Sequence, residues 1–588
     1  MLLAVSFPSA ALHVYPRTNN HWVRTLVHFF GGFSLLTRRL ATLAWLVLAS
    51  PLANPQSSSY PPQQLLDQIR PEGIRAHMEF LADDLLEGRG TGTRGYQLAA
   101  NYVRAQFESM GLKPAGDPGS YSQNVRFRQL ELVRDQSSIT VKKSGSPQTL
   151  VMDQDYLMRG DAIHTDALAE APAVFVGYGV TAPQFDYDDY AGMDVRGKIV
   201  VAMYGAPPRF ASAPGAHYSS GDVKQHNAVA HGAIGMLIIW GGKAEERTPF
   251  PVLARFFRGK GLRWLDEKGT PNAAEPNLRG YAWISSATAA PMFDGAFKSW
   301  SEVQETARDS RPQAFPLPVS VAIHTVTRYS ELESPNVAAM LPGSDPQLKD
   351  EYVVFSAHLD HLGIGVPVNG DSIYNGAGDN ASGVAALLEL ARAFSSMPKA
   401  PRRSLLFLAV TGEEEGLLGS DYYAHYPTVP ISRIAGNVNM DEVSFLYDFK
   451  DIVALGGEHS SLGGVVADVA QHMGLEISPD PAPEEVYFVR SDQYSFVKQG
   501  VPAIYVGEGY KAVDPKIDGQ KMQMAWEQTH YHQPNDDMKQ PLDLNATVKC
   551  TRIDLAVGYE IAQQGERPRW NAGDFFEKLA SSSFAGGK

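Results

Sequence analysis

The stretch "FLAVTGEEEGLLGS", residues 407–420, ends an apolar run of strand length in three consecutive carboxylates, Glu413, Glu414 and Glu415. Alone, such a run reads as a solvated turn between two elements. Other apolar runs end in the same kind of residue. "EYVVFSAHLDHLG" leads into His358, Asp360 and His361, "RIAGNVNMDE" into Asp441, and the loop "YNGAGDNASG" supplies Asp379. Farther on, "THYHQPND" holds His530 and His532. Singly, a strand-end aspartate is ordinarily a turn or cap residue and a lone histidine a surface group. Together they place ligand-type side chains at the same end of successive strands. Two histidines with three carboxylates suit a pair of divalent cations such as zinc, cobalt or manganese, and the lack of thiolates excludes a cysteine-zinc site. One carboxylate can bridge two ions about 3.5–4 Å apart, an arrangement that polarises a carbonyl and generates hydroxide at neutral pH.

These residues need a scaffold that brings strand ends together. Residues 351–357, 404–410, 433–440 and 501–507 are apolar runs of strand length. Between the first two lies "ASGVAALLELARAFSSM", with Val384, Leu387, Leu388, Ala391 and Phe394 on one helical face. Buried strands alternating with helices predict a mixed, largely parallel α/β sheet sandwiched by helices. In such sheets ligands sit beyond the carboxyl ends of the strands. Upstream, residues 63–117 carry two helical periodicities separated by the glycine-rich "EGRGTGTRG". From Pro172 the chain turns rich in β-branched residues, tyrosine and glycine, which predicts a smaller α/β module inserted in the larger domain. "GYG" within it lacks the spacing of a phosphate loop.

With 588 residues the chain exceeds what one core ordinarily serves. A formal net charge of −14 argues against a nucleic-acid surface. Cys550 is the single cysteine, so no intrachain disulfide is possible. Arg38 and Arg39 precede an apolar run from Leu40 to Ala49, then small residues and prolines, which is the pattern of an export signal too short to span a bilayer. The expected organisation is a targeting segment over 1–53, a flexible lead-in over 54–64, and the first part of the catalytic domain over 65–171. The insert follows over 172–311, the rest of the catalytic domain over 312–575 and a tail over 576–588. No stable membrane span is expected in the mature form, and the oligomeric state is not legible.

The ordered set "SAHLDHLG", "GAGDNASG", "TGEEEGLLGS", "NMD" and "YHQPND" resembles the signature of co-catalytic di-zinc aminopeptidases and their glutamate carboxypeptidase relatives. The insert resembles a protease-associated domain, and "LADDLLEGRGTGTRGYQLAANYV" is similar to the N-terminal part of such peptidases. The resemblance implies two Zn2+ ions bridged by Asp379. His358 and Asp441 would complete one site, Glu414 and His532 the other. Glu413 would be the general base and Asp360 would orient the ligands; Tyr531 is a candidate oxyanion donor beside a plain packing role. Glu415 falls at a variable position and reads as a solvated charge, with His361 and His530 set aside as supporting or surface groups. Gly378 stands where relatives often have an acid, and Gln493 where many have histidine. The expected function is an exported aminopeptidase acting on peptides. A carboxypeptidase or dipeptidase on the same scaffold, with Arg490 as carboxylate grip, is the alternative, and a non-catalytic binding protein the third reading.

Overall fold

The computed structural model describes residues 60–309, 313–483 and 486–579. The expected targeting segment, most of the lead-in and the end of the tail lie outside them. The four strand-length apolar runs form strands, joined by three that were not expected, named here in chain order: β1 (Ser122–Leu132), β2 (Phe315–Leu341), β3 (Tyr352–His358), β4 (Ser404–Val410), β5 (Ile434–Asn439), β6 (Asp451–Leu455) and β7 (Ala503–Glu508). They lie side by side in the order β1-β2-β4-β3-β5-β7-β6. The four central strands β4, β3, β5 and β7 run parallel, while β2 and β6 flank them antiparallel. All of β4 is buried, as expected of a parallel strand covered on both faces.

Successive side chains point to opposite faces, so Val353, Phe355 and Ala357 of β3 pack one way and Val354 the other. The first face meets helices α1 (Arg94–Ser109), α2 (Ser382–Ser395) and α3 (Leu544–Gln563). The second meets Tyr423 and Phe496 from two short helices. Helix α2 buries the expected apolar face, but also nearly all the rest of its surface. Ala385, Ala386 and Ala393 leave so little bulk that the sheet, α3 and the helix Pro71–Leu81 close around it. At its centre Glu389 is held by Arg392 at 2.7 and 2.8 Å.

A second sheet is built on Ser138–Lys143, Asp166–Phe175, Ile199–Met203, Gly235–Trp240 and Tyr281–Ser285. Strand β2 belongs to both: residues 319–326 pair in the second sheet and residues 337–341 pair with β4. The sheet therefore reaches beyond the expected insert 172–311 on both sides, because its flanking strands are recognisable only through their distant partners. At the carboxyl end, Phe576 is fully buried against Phe488 and His459, so the expected tail begins later than residue 576. Gln63–Leu66 likewise forms a helical turn where the lead-in was expected to continue.

Candidate metal centre

His358 is the last residue of β3, Glu413 and Glu414 follow β4, and Asp441 follows β5. Asp379 precedes α2 in the segment Ala377–Ala381, and His532 follows the helix Gly519–Thr529 at a positive φ of 55°. All six converge beyond the carboxyl ends of the parallel strands. His358 Nε2 lies 3.0 Å from Asp441 Oδ1 and 3.2 Å from Asp379 Oδ1. His532 Nε2 lies 3.2 Å from the other oxygen, Asp379 Oδ2, and 3.1 Å from Glu414 Oε2. Asp379 thus faces two imidazoles with its two oxygens, as a bridging carboxylate must.

His361, set aside from the sequence, is not a surface group. Its ring is fully buried, with Nδ1 2.6 Å from Glu414 Oε1 and 3.8 Å from Asp379 Oδ2. Donor atoms of His358, Asp379 and Asp441 lie within 4.8 Å of one another, as do those of His361, Asp379 and Glu414. Despite these close approaches, both ring nitrogens of His361, Nε2 of His532 and Oε1 of Glu414 are buried and make no well-aligned hydrogen bond among the described residues. Buried polar atoms are otherwise almost always satisfied. Nitrogen and carboxylate donors left this way fit a divalent cation. His530 bonds its neighbour Thr529 and takes no place in the cluster.

The electrostatics agree with that fit. Although burial opposes the charged imidazolium, Asp441, Glu413 and Asp379 hold His358 well above the ordinary histidine range. Glu414 and Asp379 do the same for His532. Burial works against the carboxylate charge too, yet the histidines keep Asp379 well below its usual value and Glu414 at about 2. Such a set exchanges protons for metal, so metal binding should depend on pH.

The supporting residues fix these groups in place. His358 Nδ1 donates to the carbonyl of Asp360 at 3.1 Å, which leaves Nε2 as the donor atom to a metal. The Asp360 carboxylate accepts from the backbone N–H of Glu413 at 3.2 Å and of Glu414 at 3.4 Å, and from Thr91 Oγ1 at 3.0 Å. Asp536 does the equivalent for the bridging loop, accepting from the N–H of Gly378 at 2.8 Å and of Asp379 at 3.1 Å. Ser491 Oγ donates to Asp441 Oδ2 at 2.6 Å. The Glu413 carboxylate has no hydrogen bond among the described residues, and burial, with neighbouring acids, pushes it well above the usual range. Tyr531 stacks on His532 with ring centroids 3.9 Å apart.

Both departures have a physical reason. A Cβ on Gly378 would sit 2.5 Å from Phe445 Cζ and 2.8 Å from Trp526, so no acid fits there. Gln493 is fully buried, accepting from Asn439 Nδ2 at 2.8 Å and donating to the carbonyl of Phe488 at 2.9 Å, so it supports β5 from within. Glu415 is a correction. It is half-buried and lines a recess of about 550 Å³ between the loop that follows β4 and the second sheet, with Arg159, Phe257, Tyr281 and Trp283. Burial pushes its carboxyl up to about 7, against the pull of Arg159. It is no free-standing solvated charge. Arg89, Thr91, Ser491 and Asp536 are supporting residues the sequence did not single out; most partners of Arg89 and Asp536 are backbone groups far along the chain.

Residues 336–558 match the model of Peptidase family M28. A probable zinc metalloprotease of Pyricularia oryzae is 39% identical over 107 residues, 18% of this chain and 20% of its own length. Leupeptin-inactivating enzyme 1 of Streptomyces exfoliatus is 34% identical over 120 residues, 19% of this chain and 25% of its own. The matches therefore span only about a fifth to a quarter of the length of these relatives. Among solved structures, an aminopeptidase from Aneurinibacillus sp. strain AM-1 is similar over 86% of this chain and 97% of its own, with a TM-score of 0.51 and 20% identity. That likeness establishes the fold. Among the described residues no helix is long and apolar enough to cross a membrane.

Proposed function

We propose, from a peptidase family M28 domain over residues 336–558, that this chain is a zinc metallopeptidase, and more finely an exported di-zinc aminopeptidase acting on peptides. One observation carries the reading: Asp379 offers one oxygen to His358 and the other to His532, with Asp441 and Glu414 beside them. His358, Asp379 and Asp441 would hold one ion; Asp379, Glu414 and His532 the other, with His361 a further donor at that second site. Zinc bound there would activate water and polarise the scissile carbonyl.

The chain's own groups do the rest. Glu413, held by its backbone N–H on Asp360, is the base that takes a proton from the attacking water and returns it to the leaving amine. Asp360 acts at one remove, keeping Glu413 and Glu414 in register with His358. Burial and the acids Asp379, Glu442 and Glu414 raise the Tyr531 hydroxyl well above its usual value, so it keeps its proton and can donate to an oxyanion. The recess shared with the second sheet, the proposed protease-associated module, adjoins Glu415 and Gly416 and offers room for substrate beyond the reacting residue.

A carboxypeptidase is the second reading. Arg490, 5.4 Å over the Tyr487 ring, is exposed and within electrostatic reach of Tyr531. Matched peptides with free or acetylated N-termini, and free or amidated C-termini, separate the two. The proposal expects cleavage to require the free amine and to tolerate the amide. Cleavage of N-acetylated peptides that needs a free carboxylate would replace it with the second reading. Export rests on Arg38, Arg39 and the apolar run after them. It predicts a mature N-terminus between about residues 50 and 57; an intact N-terminus on native cytosolic protein would refute it.

A further inference from the structure

The glycine-rich segment "EGRGTG", 87–92, lies some 270 residues from the nearest proposed ligand and carries none itself. It nevertheless runs through the base of the metal centre. Arg89 is 1% exposed and stands at a positive φ of 51°. Among the described residues its guanidinium donates only to backbone carbonyls: Nε to Leu359 at 3.0 Å, Nη1 to Leu81 at 2.5 Å and Asn375 at 2.6 Å, and Nη2 to Gly376 at 2.9 Å. Leu359 follows the proposed ligand His358, and Asn375 and Gly376 open the loop that delivers Asp379. The Arg89 carbonyl accepts from the N–H of His361 at 3.3 Å, and Thr91 Oγ1 reaches Asp360.

The backbone is packed too closely for the segment to slide. A Cβ on Gly88 would lie 2.4 Å from the Tyr374 carbonyl oxygen, and one on Gly90 3.2 Å from Gly363 Cα. A buried guanidinium ordinarily finds a carboxylate partner. Among the described residues its hydrogen bonds all go to uncharged groups, and the anions that act on it most strongly are Asp379, Asp536, Asp360 and Glu414. All four belong to the metal centre or its supports. Its planar fork bonds two ligand loops at once, which a lysine ammonium cannot reproduce.

We propose that Arg89 is a positioning residue of the metal centre, fixing the loop of His358 against the loop of Asp379 and thereby setting the affinity for divalent metal. The inference rests on the two-metal reading above. It assigns the N-terminal glycine-rich segment a task in metal binding without contact with metal or substrate.

The test uses the full chain with Arg89→Lys, which keeps a buried cation, and Arg89→Met, which keeps only bulk. Zn2+ affinity is measured by competition with a chelator of known strength. The visible spectrum of the Co2+-loaded protein reports ligand geometry, and unfolding of the metal-free proteins reports the fold. Loss of a group that orients metal ligands typically weakens metal binding about 10–100-fold. Both variants should fall in that range with an altered Co2+ spectrum. Saturating metal should recover most of kcat with KM little changed. If Arg89→Met does not fold, Arg89→Lys alone decides. Wild-type metal affinity and Co2+ spectrum in a folded variant, with only a lower unfolding midpoint, would reduce Arg89 to a structural residue and overturn the inference. Full rescue by lysine would overturn the fork geometry as its basis. A wild-type chain that binds no divalent metal would sink the two-metal reading and this inference together, which distinguishes that failure from the others.

Discussion

Replacing Glu413, Glu414 and Glu415 one at a time by glutamine separates three adjacent acids by environment. Glu413→Gln keeps the shape and the backbone bond to Asp360 but removes a half-buried carboxylate that has no hydrogen bond among the described residues. General-base catalysis is typically worth about 10²–10⁴-fold, or about 2.7–5.4 kcal/mol of barrier at about 1.36 kcal/mol per tenfold. The expected result is a fall of that size in kcat, with KM and bound metal nearly unchanged. Glu414→Gln removes the anion that faces both His361 at 2.6 Å and His532 at 3.1 Å, so it should lower occupancy of one metal site and be partly rescued by excess metal. Glu415→Gln alters the recess wall and not the cluster. It should change KM for peptides of three or more residues while leaving single-residue chromogenic substrates and metal content alone. The assay is steady-state kinetics on both substrate classes, with metal analysis of each variant. Equal indifference of kcat to Glu413→Gln and Glu415→Gln would refute the assignment.

Two further outcomes concern the scaffold. Burial disfavours the Glu389 charge, but Arg392 and His77 overcome it and hold the carboxyl at about 2, against 4.5 for an ordinary glutamate. A depressed folded-state value contributes stability above the unfolded value that is lost as pH falls through the folded one. Glu389→Gln should therefore cost about 3 kcal/mol in denaturant unfolding near pH 7 and progressively less between about pH 4.5 and 2; a pH-independent cost would contradict this linkage. Gly378→Ala forces a methyl group to within 2.5 Å of Phe445 and should cost about 1–3 kcal/mol with weakened metal binding, whereas an unchanged unfolding midpoint would mean that the loop has room.

The strand ends were legible because both signals are local. The run 404–410 is apolar at every position but its first, so it reads as a buried strand, and the acids that follow it stand out. Asp379 was legible through its glycine-rich turn. Strand β2 was not, because one extended segment serves two sheets and nothing in its pattern marks where the first ends. His361 was left open between a supporting and a surface group, because its spacing beside His358 and Asp360 says nothing of which way a ring turns after a strand; the structure removes the surface option. Arg89 and Asp536 bond to backbone groups about 160–290 residues away, and a backbone carbonyl or N–H leaves no trace in the sequence. Glu415 differs from Glu414 only in the direction its side chain takes, which the second sheet gives meaning by closing over it.

The central claim is that Asp379 joins two metal sites that together perform peptide hydrolysis. Its most direct test is a titration of the metal-free protein with Zn2+, following bound metal and aminopeptidase activity in the same samples. The account predicts saturation at two ions per chain, activity that rises with occupancy, and loss of both the two-ion saturation and the activity in Asp379→Asn. Full peptidase activity in demonstrably metal-free protein, or two tightly bound ions in Asp379→Asn, would contradict it.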